Sequence, residues 1–267
     1  MTSRSLTLFE KAKSTALTTK NSIEETRRTI DQEREATRRE SEEMANTHVN
    51  LIFALDATGS RERFWDVSKL IQSTMFGAVA TSGLKVRTQL VSYSGVTQLG
   101  DVAASEWHDT ASALDVDLEK VNCVAGHTQI GEVFRHAMRE NTQRKVHGII
   151  LIGDSCEEDG AYLRSLGSEL HKNGIQLYIM DDGNRSDGRH PDTFRIFRET
   201  AEAAEGVYLP FESKSIGKLI DYLRVAAVAS SGNIKAVDRI ADSVTTPEGR
   251  AFLEQRKKHL LLTHDKK

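Results

Sequence analysis

Two apolar runs set the pattern of this chain. Val49 to Leu55 (VNLIFAL) is interrupted only by Asn50 and stops at Asp56, while Val146 to Gly153 (VHGIILIG) has the same character and stops at Asp154. Segments of this length, apolar at consecutive positions, predict strands buried on both faces of a parallel sheet. Each delivers a carboxylate to its C-terminal end, where open α/β sheets place their ligands.

The stretches between and after these runs alternate in period. Arg61 to Ala80 carries Phe64, Val67, Ile71, Met75 and Val79 at helical spacing, and Gly83 closes the connection. Lys85 to Ser94 reads as a second strand and Val96 to Asp101, after the turn at Gly95, as a short third; the pair predicts a hairpin at a sheet edge. A helix is expected over Thr110 to Asn122, with Ala113, Leu114, Val116, Leu118 and Val121 inward, and another from about Gln129. Beyond Asp154 the pattern gives a helix (Gly160 to Asn173), a strand (Ile175 to Met180) and a helix starting at Pro191 and running to Glu205. A strand (Val207 to Leu209) and a helix (Ser213 to Ala229) burying Ile216, Leu219, Ile220 and Leu223 complete it. Strands separated by helices predict an α/β fold: a doubly wound, mostly parallel six-stranded sheet flanked by helices, Rossmann-like, over residues 48–229.

The flanks differ from this core. Residues 1–47 contain no Pro or Gly, and Glu24/Arg28 and Glu35/Arg39 are spaced i to i+4 in the favourable order, so the segment reads as a charged helix. Phe9, Ala16, Ile23, Ile30 and Met44 recur at multiples of seven, but the companion positions Lys20, Arg27 and Arg34 are charged. A regular coiled coil needs both seams apolar. Two readings stand: a helix that binds a partner or self-associates, and a solvated extension. Residues 230–267 predict a C-terminal helical extension, Asn233 to Val244 and then Glu248 to Leu262, the second capped by Thr246. It packs either on the domain or on a partner.

Composition narrows the class. With 36 basic and 39 acidic residues in 267, no global field argues for nucleic acid or an anionic membrane surface. No segment approaches the roughly 18 apolar residues of a membrane span. Cys123 and Cys156 make no disulfide framework and the N-terminus lacks the apolar core of a secretion signal, so the expected location is cytoplasmic.

The chemistry gathers in three loops: Asp56-Ala57-Thr58-Gly59-Ser60, Gly126-His127-Thr128-Gln129, and Asp154 after its strand. They offer two carboxylates and three hydroxyls, an all-oxygen set suited to a hard ion such as Mg²⁺ or Mn²⁺. Taken alone, Ser60 is a helix cap, Thr128 a cap for the helix at Gln129, and either Asp a loop acid. Their order along the chain resembles the von Willebrand factor type A (VWA) domain, in its bacterial intracellular form, and its metal-ion-dependent adhesion site (MIDAS). That pattern is Asp-x-Ser-x-Ser after the first strand, a Thr in a second loop and an Asp after a later strand; here Thr58 stands for the first Ser, and Ile-Gly-Asp-Ser replaces the commoner Thr-Asp-Gly.

The resemblance implies a non-enzymatic protein-interaction module. Asp56, Thr58, Ser60, Thr128 and Asp154 are then the metal set: Ser60, Thr58 and, in the ligand-ready form, Thr128 touch the ion, and the two Asp act largely through water. Gly59, His127 and Gln129 form the partner-binding rim. The partner is a protein presenting Asp or Glu, an ATPase or another subunit of an assembly that the module serves as adaptor.

A competing resemblance makes an enzyme. Asp56-Ala57-Thr58-Gly59-Ser60 is similar to the Asp-x-Thr-Gly-Thr phosphorylation motif of P-type ATPases in the haloacid dehalogenase superfamily, and Gly153-Asp154-Ser155 with Glu158 to its metal motif. Asp56 is then a phosphorylated nucleophile of a phosphohydrolase. In that reading Thr58 stands where soluble members carry an acid, Lys145 precedes its strand instead of following one, and Thr128 has no role. Of the remaining residues, Asp181 to Gly188 reads as a turn and not a calcium loop, since the sixth position from Asp182 is not Gly.

Overall fold

The computed structural model describes residues 27–39, 42, 48–57, 76–93, 102–121, 126–182, 192–212 and 215–264. The chain divides into two compact units, Met1–Asn46 and Thr47–Lys267. In the first, residues 27–39 are helical and exposed, and the expected Glu35/Arg39 pair closes at 2.9 Å. Of the heptad residues, Ile30 is exposed, and Phe9, Ala16, Ile23 and Met44 lie outside the described residues.

The second unit is built on six strands: β1 (His48–Asp56), β2 (Lys85–Tyr93), β3 (Ala103–His108), β4 (Gly148–Gly153), β5 (Gln176–Asp181) and β6 (Val207–Pro210). Their order in the sheet is β3-β2-β1-β4-β5-β6. All pairs are parallel except β2 with β3, which is antiparallel at one edge. From β1 the chain first builds outward through β2 and then returns to place β4 on the other side. The boundary between β1 and β4 is therefore the switch point, and Asp56 and Asp154 end the two strands that flank it.

The helices are α1 (Ala111–Leu118), α2 (Ile130–Gln143), α3 (Gly160–Lys172), α4 (Thr193–Ala203), α5 (Ile216–Ala229), α6 (Ile234–Arg239) and α7 (Pro247–His264), with a 3₁₀ turn at Ala241–Ser243. Alternation along the strands divides the core between two faces. Ile52, Ala54, Val91, Ile149, Leu151, Leu177 and Ile179 pack under α2, α3 and α4 through Val133, Phe134, Leu163 and Phe197. On the other face α5 and α7 close over the sheet, where Phe252 meets the rings of Tyr178 and Tyr222 edge-on at 5.9 and 5.8 Å. Burial of each such side chain contributes about 1.5–3 kcal/mol.

Several expected boundaries move. The strand that pairs with β2 at this edge lies at Ala103–His108, and Val96 to Asp101, where the sequence pattern put it, lies outside the described residues. AASEWH is only half buried and so carried little apolar signal. Val116 is 54% exposed and Ile216 40%, because only Leu114 and Leu118 of α1 turn inward and α5 begins clear of the sheet. Helix α4 starts at Thr193, two residues after the proline. Over Arg61 to Ala80 the helix is described only from residue 76, and Gly83 ends it with a φ of +84°.

The C-terminal extension packs on the domain. Asp221 of α5 is the clasp: its Oδ2 accepts from the N–H groups of Thr245 (2.9 Å) and Thr246 (2.7 Å) and from the Thr246 hydroxyl (2.8 Å), while Oδ1 accepts from Arg224 (2.8 Å). The Thr246 hydroxyl in turn accepts from Gly249 N–H at 3.1 Å, capping α7 as the sequence predicts. No helix among the described residues is long and apolar enough to cross a membrane.

Candidate metal centre

The centre is assembled from strand ends. Asp56 closes β1 and is 2% exposed; Asp154 follows β4 and is 6% exposed; Thr128, in the loop before α2, is 3% exposed. Asp56 pairs in register with Tyr93, and Ala57 N–H donates to the Tyr93 carbonyl at 2.9 Å, so the chain stays bonded to β2 through the residue after the acid. Gly153 leaves little room at this point. A Cβ there would sit 3.1 Å from the Tyr93 hydroxyl and 3.9 Å from Cβ of Asp56.

Thr128 is bolted to the loop that follows Asp154. Its N–H donates to Glu157 Oε2 at 2.7 Å, and its hydroxyl accepts from Glu157 N–H at 3.1 Å. The next residue of the pair, Glu158, accepts from Ile130 N–H (2.5 Å) and Gly131 N–H (2.9 Å), the first amides of α2. Helix α2 therefore takes its N-terminal carboxylate from 27 residues downstream, and Gln129 at the cap position makes no side-chain capping bond. Burial pushes the Glu158 carboxyl above its usual range, and the two amide bonds oppose that shift. This corrects the reading of Thr128 as the cap for α2: the hydroxyl bonds to Glu157 and the cap is Glu158.

The reciprocal bonds bring two of the three predicted loops together, and the sheet brings the third alongside. Of the expected rim residues His127 is exposed and Gln129 half buried, while Gly59, with Thr58 and Ser60, lies outside the described residues. Cys156 is buried, with its N–H on the Thr193 hydroxyl at 3.2 Å, and burial pushes its thiol up to about 12. Asp181, ending β5, is fully buried and accepts from the Tyr208 hydroxyl at 2.6 Å. Residues 183–191, the rest of the suspected turn, lie outside the described residues.

The donor set can be weighed for a metal. Among the described residues no three His, Cys, Asp or Glu side chains converge as a metal-binding group. That excludes, for them, a nitrogen–sulfur or carboxylate cage and leaves, of the predicted set, two buried carboxyl groups and the Thr128 hydroxyl, all oxygen donors of the kind a hard dication takes.

Compared with known proteins, the chain matches over residues 9–192 the family described as VWA domain containing CoxE-like protein. The chain belongs to this family. No curated protein matches it. Among solved structures, the VWA domain of SpRpn10 superposes with a TM-score of 0.52 at 12% identity, covering 65% of this chain and 94% of that one. The pilus adhesin SpaC from Lactobacillus rhamnosus GG gives 0.55 at 11% identity over 70% of this chain and 30% of its own. Proximal thread matrix protein 1 from the mussel byssus gives 0.51 at 17% identity over 68% and 47%. At these identities the likeness shows a VWA fold. VWA domains generally act as non-catalytic modules that mediate protein–protein contacts through a metal site.

The family also bears on the enzyme alternative. A haloacid dehalogenase-like phosphohydrolase leaves Thr128 without work, whereas in this VWA domain Thr128 is buried and joined by two hydrogen bonds to the loop after Asp154.

Proposed function

We propose that the protein is a metal-dependent adhesion module, which holds Mg²⁺, or Mn²⁺, on Asp56, Thr58, Ser60, Thr128 and Asp154 and captures a carboxylate of another protein. The observation that carries this reading is the bonding of Thr128 to Glu157, which keeps a buried hydroxyl beside the strand end bearing Asp154. When bound, the metal supplies a positive centre with room for one anionic oxygen from outside. The chain's own residues do the remaining work.

Asp56 and Asp154 place two buried carboxyl groups at the switch point. Thr128 presents its hydroxyl from a loop that cannot drift, since both its N–H and its Oγ1 are bonded to Glu157. Neutral hydroxyl donors leave a dication under-compensated, which favours an Asp or Glu from the partner. His127, Gln129 and Gly59 form the proposed rim of the contact. The partner class we propose is an ATPase or another subunit of an assembly, with the protein as its cytoplasmic adaptor; residues 1–47 supply a second contact by self-association or partner binding.

Affinity capture from lysate of the source cells in Mg²⁺ and in EDTA tests the reading. The expected result is a partner retained in Mg²⁺, released by EDTA and lost in Asp56→Ala with the circular dichroism spectrum unchanged. Equal recovery under both conditions overturns the metal bridge. So does an acid-stable phosphoenzyme that disappears in Asp56→Asn, which assigns the carboxylate to phosphoryl transfer.

A further inference from the structure

At the end of the sheet opposite Asp56 and Asp154, a cleft of about 590 Å³ opens between α3, the start of β5, the turns after α4 and α5, and α7. Its lining includes His171, Gln176, Glu205, Ser231, Arg256 and His259. Arg256 is 3% exposed. Its Nη2 donates to Gln176 Oε1 at 2.7 Å, and its guanidinium lies 5.6 Å over the ring of Tyr178, whose hydroxyl donates to the same Gln176 oxygen at 2.5 Å.

Those contacts leave the arginine short of partners. Arg256 Nε is buried without a hydrogen bond, and no carboxylate is paired with the guanidinium among the described residues. Arginine carries five N–H donors and keeps its charge throughout the physiological range, and buried charges are ordinarily paired. A neutral amide oxygen and an aromatic face do not balance that charge. The acid in the lining, Glu205, is exposed at the rim, 3.6 Å from His171 Nε2.

The neighbouring groups strengthen the same sign. Burial, together with the positive charge of Arg256, holds His259 below its usual imidazole range, and His171 acts in the same direction. Lys145, outside the lining, holds its ammonium on the carbonyls of Asn173 and Gly174, at 3.0 and 2.9 Å. The volume is in the range that takes a small molecule.

We propose that this cleft binds a small-molecule oxyanion, a carboxylate or phosphate group seated on Arg256 with His259 and His171 at its side. Charge in the site comes from Arg256, with His171 and Glu205 paired at the rim, and binding tightens as His259 takes up a proton. The site is separate from the metal centre, and its test does not depend on that reading.

Sulfate, whose charge is constant across the imidazole range, is the probe. Titrated into the full-length chain in EDTA against chloride at equal ionic strength, it is expected to move the His171 and His259 imidazole resonances saturably, and more tightly at lower pH. Arg256→Met, which keeps the stem on Tyr178 and removes the charge, is expected to weaken sulfate by roughly tenfold or more. His259→Gln, at a less buried position, is expected to abolish the pH dependence contributed by that ring while the resonances of His171 still respond. Resonances that move no more in sulfate than in chloride overturn the proposal, whichever variants fold. So does wild-type affinity in Arg256→Met.

Discussion

Replacing Thr128 by Val separates the two duties of that side chain. Val keeps the branched shape in a site only 3% exposed and removes one oxygen. The structure gives that oxygen a bond accepted from Glu157 N–H at 3.1 Å and a weaker contact with the Cys156 thiol, whereas the 2.7 Å bond from Thr128 N–H to the Glu157 carboxylate is made by the backbone and survives. One neutral hydrogen bond is worth about 0.5–1.5 kcal/mol net. For a domain of this size that corresponds to a melting midpoint lower by roughly 2–4 °C. Mg²⁺-dependent capture, by contrast, loses a ligand oxygen and is expected to fall to the EDTA level. Thr128→Ser, which restores the oxygen, is expected to recover both. Thermal melts read the first quantity and capture the second. A loss of several kcal/mol in Thr128→Val refutes the view that the backbone bond carries the loop, and undiminished capture refutes Thr128 as a metal ligand.

Two further predictions concern the frame around the centre. Asp221→Ala leaves Arg224 and the Thr245 and Thr246 donors without their buried acceptor and is expected to cost about 3–5 kcal/mol, read by urea denaturation, with hydrogen exchange rising along α7; a cost below about 1 kcal/mol removes the clasp from the account. Cys156, with its thiol pushed up to about 12, is ionised at about pH 8 to only roughly one part in ten thousand, so in a Cys123→Ser chain it is expected to react with disulfide reagents only as fast as the domain opens. The native state holds this proton more tightly than the unfolded chain. Its contribution to stability is therefore full below the ordinary thiol range and is lost as pH rises toward 12. Rapid labelling of the folded chain contradicts the burial.

What could be read from the sequence followed from how locally each feature is encoded. Strands β1 and β4 were legible because both faces of each are covered, which leaves an apolar residue at nearly every position. Strand β3 was misplaced because an edge strand with one wet face needs few apolar residues. Val116 and Ile216 looked like core by spacing, and were exposed because α1 is short and α5 enters the sheet a turn late. At the centre, Asp56, Thr128 and Asp154 stood out as strand-end and loop residues. Glu157 as the mate of Thr128 was invisible, and Glu158 was weighed only as part of a phosphatase motif. A capping box within one helix has a fixed spacing, but a cap supplied from 27 residues away has none. Likewise, nothing in the spacing of Arg256 distinguished it from the solvated basic residues around it; its burial depends on α7 folding back over β5.

The bonds from Glu157 and Glu158 to residues 128–131 have a consequence for how the centre tolerates change. Because these acids follow Asp154 by three and four residues, the placement of Thr128 relative to Asp154 is set by one short bracket of backbone and carboxylates. It is not the accumulated result of how helices and strands happen to pack between them. The bracket meets the helices at two points, the start of α3, which follows Glu158 closely, and the Cys156 N–H bonded to Thr193 of α4 at 3.2 Å. Core substitutions that leave those two points in place therefore keep Thr128 and Asp154, two of the proposed ligands, at the same separation.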